Sequence, residues 1–178
     1  MGFVETIRPD AEDYWSAIRE HPMVVRLGDG TLAEERFRYW VEQDYVYLVE
    51  YARVLASVAA AAPDVETMGQ FAGLLEATVT EEMDLHRDYA REFDLTEADL
   101  EATRPSPTTR AYTDFLVRTA TTGTFGDAVA ALLACEWGFN AVARRLDADG
   151  RPDHDQYAQW IATYSSDEFA ALTRELQD

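Results

Sequence analysis

The chain has 178 residues, of which 34 are acidic and 15 are basic, and its formal net charge is −19. This length fits a single domain, since domains commonly contain about 100–200 residues. Hydrophobic residues make up 47% of the chain, which is enough for a packed core and argues against disorder. The acidic excess argues against nucleic-acid binding, because phosphate contacts need clustered cations.

All the basic residues are arginine, and the chain contains no lysine. In dilute salt, so many excess carboxylates repel one another and weaken the compact state. At molar salt the Debye length falls to about 3 Å, and this repulsion is largely screened. The composition therefore favours a protein from a salt-adapted organism. The alternative is an acidic protein of an ordinary cell, which leaves the missing lysine unexplained.

The cellular compartment is indicated by what the sequence lacks. Cys135 is the single cysteine, so no intrachain disulfide can form. The first ten residues do not have the charged-then-apolar order of a signal peptide. No apolar run approaches the roughly 18 residues needed to span a bilayer. We expect a soluble cytoplasmic protein without a membrane partner.

The hydrophobic periodicity predicts one helix after another. A short helix is expected over 11–20, ended by Pro22, and a turn over 28–30. Thr31 and Glu34 have the spacing of a capping box, which predicts a helix continuing to about residue 62. The later predicted segments, each bounded by proline, glycine or polar residues, are 65–93, 96–101, 108–121, 126–146, 157–164 and a last helix capped by Ser165 or Ser166. We therefore predict an all-α bundle of about six to eight helices.

One face of the helix after residue 31 combines aromatic rings with a carboxylate. Trp40, Asp44, Tyr47 and Tyr51 have the spacing i, i+4, i+7 and i+11. Because an unpaired buried carboxylate is costly, two interpretations stay open. The aromatic residues are core, with Asp44 capping a neighbouring helix or pairing with an arginine, or the face forms the wall of a pocket for a cationic or amine-bearing ligand.

Two other features have a chemical and a structural interpretation. Cys135 is either a nucleophile or an inert small hydrophobic residue, and no histidine lies near it in sequence. Glu82 and His86 are four residues apart, which suits two metal ligands on one helix face. A carboxylate-bridged di-iron bundle needs Glu and His from several helices, and a second pair is absent. A surface-exposed region with a Glu82–Arg87 salt bridge is the favoured interpretation, and no metal is expected.

Several segments together resemble the TenA/thiaminase II family. The first is HPMVVRLGDGTL at 21–32, followed by Phe37, Tyr39 and Gln43-Asp44. The later matching segments, which have the family's order and spacing, are EMDLH at 82–86, PSPT at 105–108 with Tyr112, AALLACEW at 130–137 and WIATY at 160–164. The resemblance extends over essentially the whole chain.

The resemblance implies a single haem-oxygenase-like helical domain over 1–178, without haem or another cofactor. It implies a hydrolase of thiamin salvage that acts on aminopyrimidines. The usual substrate is 4-amino-5-aminomethyl-2-methylpyrimidine, which is converted to the hydroxymethyl compound and ammonia. The resemblance also implies a homo-oligomer, with a tetramer favoured.

The resemblance further implies roles for individual residues. Asp44 would hydrogen-bond the amino group and a ring nitrogen of the substrate, and Cys135 would be the nucleophile. Tyr47, Tyr112 and Tyr164 would shape and polarise the pocket. We expect Asp44 to face Cys135 across a gap that holds one flat heterocycle.

The sequence departs from the family pattern at two places. Phe139 stands where the family usually has a tyrosine, and it is expected to line the substrate pocket without a hydroxyl. The family normally continues into one or two further helices that supply a catalytic glutamate, and neither Glu168 nor Glu175 is assigned to that role. Glu136 is expected to point away from the pocket. The alternatives are a non-catalytic pyrimidine-binding or interaction protein of the same fold and a di-iron oxygenase.

Overall fold

The computed structural model describes the backbone of residues 3–176 and the side chains of residues 11–174 and 176. In this part of the chain the regular structure is helical, without strands, which confirms the all-α prediction. The helices, numbered in chain order, are α1 Phe3–Arg19, α2 Pro22–Gly28, α3 Glu34–Ala61, α4 Val65–Ala77, α5 Met83–Glu92, α6 Glu97–Ala102, α7 Pro107–Thr122, α8 Phe125–Asp149, α9 Asp155–Ser165 and α10 Asp167–Glu175. A π-helical turn, Thr78–Glu82, joins α4 to α5.

The described part of the chain contains ten α-helices, more than the six to eight predicted. The prediction was wrong at α2, where a short helix follows the break at His21. Pro22 occupies its first turn, where the missing N–H is not needed, and the His21 side chain accepts a hydrogen bond from the backbone N–H of Met23. The start of α1 also differs from the prediction, because the helix begins at Phe3 and continues through Pro9.

The predicted capping box at Thr31 and Glu34 is wrong. The backbone N–H and the hydroxyl of Thr31 both donate to Oδ1 of Asp29, at 2.9 and 2.6 Å, and this local turn uses the threonine before α3 begins at Glu34. A capping box is present at the start of α6 instead. There Thr96 and Asp99 exchange side-chain and backbone hydrogen bonds.

The chain divides into two compact units. One comprises Glu34–Leu132, and the other comprises Met1–Ala33 together with Leu133–Asp178. In the first unit, α3 packs against α4, α5 and α7. The buried residues of α3 have helical spacing and include Phe37, Val41, Leu48 and Leu55, so one long stripe of this helix forms the centre of the unit's core.

The second unit has its own buried cluster. Ala143 and Ile161 are fully buried, and the hydroxyl of Tyr157 donates to the backbone carbonyl of Leu32 at 2.9 Å. A side chain of α9 thus contacts the loop that precedes α3. Among residues 3–176, no helix is both long and apolar enough to cross a membrane.

Candidate functional site

Asp44 lies on α3 and forms a hydrogen bond with a histidine from α5. Its Oδ2 is 2.8 Å from Nε2 of His86, and Nδ1 of His86 donates to the backbone carbonyl of Glu82 at 2.9 Å. The His86 side chain is 0% exposed, and that of Asp44 is 12% exposed. Among the described residues, the partner of this carboxylate is therefore a histidine, and not an arginine or a helix N-terminus. This histidine is a buried imidazole on α5, the helix that packs against α3.

The electrostatics of His86 reflect two opposing effects. Burial by itself lowers its pKa, because the charged imidazolium is desolvated. The hydrogen bond and the negative charge of Asp44, with the carbonyl and charge of Glu82, outweigh burial and hold the pKa of His86 above 6.5. The contact between Asp44 and His86 thus favours the protonated imidazole.

Aromatic rings lie along the same face of α3 as Asp44. The ring of Tyr47 is parallel to that of Tyr112 from α7, with centroids 5.8 Å apart and an interplanar angle of 7°. The ring of Tyr51 also stacks on that of Tyr47, with centroids 5.5 Å apart. Tyr47 and Tyr51 are buried, whereas Tyr112 is 36% exposed. The first unit therefore brings Asp44, Tyr47 and Tyr112 to one region, as a pocket wall requires.

Gln43, the residue before Asp44, holds the segment that leads into α7. Its side-chain carbonyl accepts from the backbone N–H of Ser106 at 2.7 Å and from the hydroxyl of Thr109 at 2.8 Å. Its Nε2 donates to the carbonyl of Arg104 at 3.1 Å. Since Tyr112 lies one turn beyond this anchor, Gln43 sets the position of the stacked ring. Sequence analysis missed this role, although Gln43 was part of a recognised motif.

The predicted environment of His86 is wrong, because the side chain is buried rather than at a salt-bridged surface. Arg87 forms salt bridges with Asp84 at 2.7 Å and with Glu97 at 2.9 Å, and no Glu82–Arg87 pair is among the described salt bridges. Within the described residues, no group of three His, Cys, Asp or Glu side chains is arranged to hold a metal ion. The helical period of α5 could have identified His86, because it places this residue on the side of the helix that faces the core.

The other candidate residues lie in the second unit. Cys135 is partly exposed and lies near the middle of α8, and Phe139 follows one turn later. The ring of Phe139 contacts Tyr164 of α9 at 4.8 Å and Trp160 at 5.8 Å between centroids. The amide of Asn140 donates to the backbone carbonyl of Tyr164 at 2.9 Å, which fixes α9 against α8.

The structure therefore groups the six predicted residues as two sets of three, each within its own unit. Asp44, Tyr47 and Tyr112 belong to the first unit. Cys135, Phe139 and Tyr164 belong to the second. A surface groove of about 540 Å³ in the second unit, between the end of α8 and the start of α10, is lined by none of the six.

Comparison with known proteins places the chain in a family. The model of the TENA/THI-4/PQQC family matches residues 8–178. The chain belongs to this family. The resemblance to TenA proteins read from the sequence motifs is therefore confirmed, and with it the TenA-like helical fold.

Individual members of the TENA/THI-4/PQQC family are similar to most of the chain. An aminopyrimidine aminohydrolase of Halalkalibacterium halodurans is 39% identical over 173 residues, which cover 97% of this chain and 77% of the relative. An aminopyrimidine aminohydrolase of Bacillus subtilis is 38% identical over 175 residues, covering 98% and 74%. The solved structure of a TenA homologue from P. horikoshii OT3 has a TM-score of 0.93 and 33% identity, covering 99% of this chain and 83% of the other.

Proposed function

We propose that this chain is an aminopyrimidine aminohydrolase of thiamin salvage, which converts 4-amino-5-aminomethyl-2-methylpyrimidine to the hydroxymethyl compound and ammonia. The relatives named for this activity are 38–39% identical to the chain over nearly its whole length. Both are small-molecule hydrolases by name, so the proposed partner is the aminopyrimidine. The proposed chemistry requires no metal or cofactor.

Asp44 is the proposed recognition group for the pyrimidine. A carboxylate at the end of a row of aromatic rings matches a flat heterocycle that carries an amino group, because the rings cover its faces and the carboxylate accepts its N–H. The parallel rings of Tyr47 and Tyr112, 5.8 Å apart, lie near this carboxylate on the face of α3. This combination of Asp44 and stacked tyrosines, in a chain related to named aminohydrolases, is the observation that carries the proposal.

Cys135 is the proposed nucleophile of this reaction. Its thiolate bonds to an electron-poor ring carbon, and the electron pair moves towards the exocyclic carbon–nitrogen bond. That bond breaks, and the amine takes up a proton and leaves as ammonia. Water then adds to the methylene carbon, and the thiolate is expelled as the ring becomes aromatic again. The net reaction consumes one water and exchanges –NH2 for –OH.

Phe139 and Tyr164 are the proposed apolar wall on the side of the thiol. Their rings are in contact, and both are on helices fixed by the bond from Asn140 to the Tyr164 carbonyl. An aromatic wall excludes water from the thiolate and covers the methyl-substituted ring of the substrate. Phe139 contributes no hydroxyl, so any proton transfer on this side requires another group.

The test is ammonia release from the aminomethylpyrimidine by the wild type and by Cys135→Ala and Cys135→Ser. Both variants are expected to lose at least about 10³-fold in kcat, as is typical when a nucleophile is removed. Ala134→Ser is the matched control, because residue 134 is exposed on the same helix. It introduces a hydroxyl beside the thiol without removing the thiol, so its turnover is expected to match the wild type.

Two results would contradict the proposal in different ways. Unchanged turnover in Cys135→Ala would remove the cysteine from the mechanism. Tight binding of the aminomethylpyrimidine without turnover by the wild type would establish the alternative of a non-catalytic pyrimidine-binding protein, which Phe139 favours.

We also infer that the protein works in concentrated salt, because its net charge is −19 and it has no lysine. The melting temperature and the turnover are expected to rise from about 0.1 M to about 2 M KCl, where screening reaches contact distances. A melting temperature that falls with KCl over this range would contradict this inference.

A cytoplasmic location and a homo-oligomer, with a tetramer favoured, complete the proposal on the basis of the family. Light scattering at high salt measures the mass directly. A mass of one chain, about 20.1 kDa, would refute the assembly and leave the proposed chemistry untouched.

A further inference from the structure

We infer that His86, protonated on both ring nitrogens, is the positioning residue of Asp44: it fixes Oδ2 and leaves Oδ1 to accept the amino group of the aminopyrimidine. This inference rests on the proposed function, in which Asp44 is the recognition group for the substrate.

The first argument is the geometry of the contact. His86 is completely buried, and both of its ring nitrogens are within hydrogen-bond distance of oxygen, at 2.8 Å from Asp44 and 2.9 Å from the Glu82 carbonyl. A ring held at both nitrogens cannot flip or rotate without breaking a buried hydrogen bond. The hydrogen bond from His86 therefore fixes the carboxyl group of Asp44 at Oδ2.

The second argument is a count of protons. The Glu82 carbonyl can only accept, so Nδ1 of His86 carries a hydrogen. An ionised Asp44 can also only accept, so Nε2 must carry a second hydrogen and the ring is an imidazolium. The alternative is a neutral ring that accepts a hydrogen bond from a protonated Asp44. Either arrangement has a net charge of zero, so the count alone does not choose between them.

The electrostatic environment of His86 favours the imidazolium. The charged groups acting on it are Asp44 from α3 and Glu82 from the π-helical turn, and both are negative. The described ring contacts of His86 include Trp40 from α3, at 5.3 Å, and Tyr89 from α5, at 6.1 Å between centroids. Although burial opposes the charge, these two carboxylates raise the pKa of His86 above 6.5.

The third argument is the π-helical turn itself, because it sets the orientation of His86. A π-helical turn adds one residue to a helical turn, and such turns occur frequently at functional sites. The turn Thr78–Glu82 directly precedes α5, so it sets which residues of α5 face α3. Its last residue, Glu82, also supplies the carbonyl that holds Nδ1 of His86.

The hydrogen bond to His86 determines which oxygen of Asp44 can bind the substrate. Among the described residues, the hydrogen bond of Asp44 is formed through Oδ2, and its side chain is 12% exposed. Oδ1 is thus the oxygen that can accept from an amino group.

The protonation state can be tested on the wild-type protein without any substrate. Nitrogen-15 NMR of the histidine rings reports which nitrogens carry hydrogen, and a His86→Gln sample identifies the signals of His86. At pH 6 both nitrogens of His86 are expected to be protonated, and Nε2 is expected to lose its proton only above the ordinary histidine pKa of about 6.5. An Nε2 without a proton at pH 6 would overturn the inference, whether or not the chain is an aminohydrolase.

The positioning role is tested by two substitutions of His86, of which one keeps an N–H donor and the other removes it. Glutamine can place an N–H near the position of Nε2 but carries no charge, whereas phenylalanine removes the donor. Because hydrogen bonds to charged groups are the stronger ones, His86→Phe is expected to lower kcat/KM for the aminomethylpyrimidine by at least about tenfold, mainly through KM. His86→Gln is expected to recover part of this loss.

The pH profile separates this role from a merely structural one. As the pH rises through the raised pKa of His86, the imidazolium loses the proton that it donates to Asp44. The wild-type kcat/KM is therefore expected to fall on the alkaline side of this pKa. The glutamine variant, which cannot titrate there, lacks this component. Arg91→Gln, at an exposed position of α5, is the control and keeps the wild-type profile. Equal KM values and equal profiles for the wild type and His86→Phe would refute the positioning role.

Discussion

The side-chain carbonyl oxygen of Gln43 accepts the backbone N–H of Ser106 at 2.7 Å, which joins residues 63 positions apart in the chain. The same oxygen also accepts from Thr109, at 2.8 Å, so a single amide group ties α3 to the beginning of α7. The ring of Tyr112, which lies on the next turn of α7, stacks on Tyr47 of α3. The amide of Gln43 thus holds the helix that carries the outer ring of the candidate site.

We expect Gln43→Ala to lower the free energy of unfolding by about 1 kcal/mol, because it leaves the part-buried donors of Ser106 and Thr109 without this acceptor. KM for the aminomethylpyrimidine is expected to rise, since Tyr112 loses its anchor. Urea unfolding and steady-state kinetics measure the two effects. Gln70→Ala is the control, because Gln70 is exposed on α4 and should tolerate the change. A normal KM in a destabilised Gln43→Ala would separate the anchor from the site.

Two buried tyrosines are expected to respond oppositely to loss of the hydroxyl. The Tyr89 hydroxyl is buried without a hydrogen-bond partner among the described residues, and burial raises the pKa of this phenol. Tyr157 donates to the carbonyl of Leu32 at 2.9 Å. Tyr89→Phe should therefore leave stability unchanged or increase it, whereas Tyr157→Phe should cost about 1–3 kcal/mol. Chemical denaturation of both variants measures the difference, and equal losses would contradict it.

Two glycines with open space around them are expected to differ in sign. A Cβ at Gly69 or at Gly150 would meet no heavy atom within 4 Å. Gly69 is inside α4, where alanine is favoured by about 0.5–1 kcal/mol, so Gly69→Ala should raise the melting temperature by a few degrees. Gly150 has φ of +101°, which an L side chain rarely adopts, so Gly150→Ala should lower it. Thermal unfolding of the two variants tests this, and shifts of the same sign would be inconsistent with it.

Acid is expected to weaken the starts of two helices. Asp99 at α6 and Asp127 at α8 each accept from the backbone N–H and the hydroxyl of the threonine three residues earlier. These bonds lower the pKa of both carboxyl groups below 3.8. A lowered folded-state pKa gives stability that is present above the unfolded value and is lost as the pH falls through the folded value.

The measurement for these carboxyl groups is the urea midpoint between pH 5 and pH 2, for the wild type and for Asp99→Asn and Asp127→Asn. Each variant should lose less stability on acidification than the wild type, because asparagine has no charge to lose. Asp153→Asn, in the loop before α9, is the control. Parallel curves for the wild type and both cap variants would contradict the assigned role.

The helices were predictable because their signals are local. Apolar residues at helical spacing, the break at Pro22 and the serine cap of α10 lie within a few residues of the structure they specify. The failures were also local in origin. Thr31 has two possible hydrogen-bond partners, Glu34 and Asp29. The capping-box spacing to Glu34 does not indicate that the hydroxyl of Thr31 donates to Asp29 instead. The predicted helix over 65–93 is continuous along the backbone but contains the π-helical turn, which the spacing of apolar residues does not show.

The residues of the candidate site were found from the sequence, but their partners were not. Spacing places Asp44 and Tyr47 on one face of α3, and the motif around Cys135 identifies the thiol. The burial of His86, however, depends on α5 packing against α3, and its bond to Asp44 joins residues 42 positions apart. The same holds for the three contacts of Gln43, which reach residues 61 to 66 positions away.

The sequence by itself determined an acidic all-α chain of the TenA type and indicated candidate residues for its chemistry, because composition, periodicity and motif order are properties of the chain alone. Only the tertiary structure decided that the carboxylate of Asp44 is held by a buried histidine and that Tyr112 stacks on Tyr47. Hydrogen bonds and ring contacts between distant helices depend on the angles and distances at which those helices pack. No local pattern of residue types fixes these angles and distances.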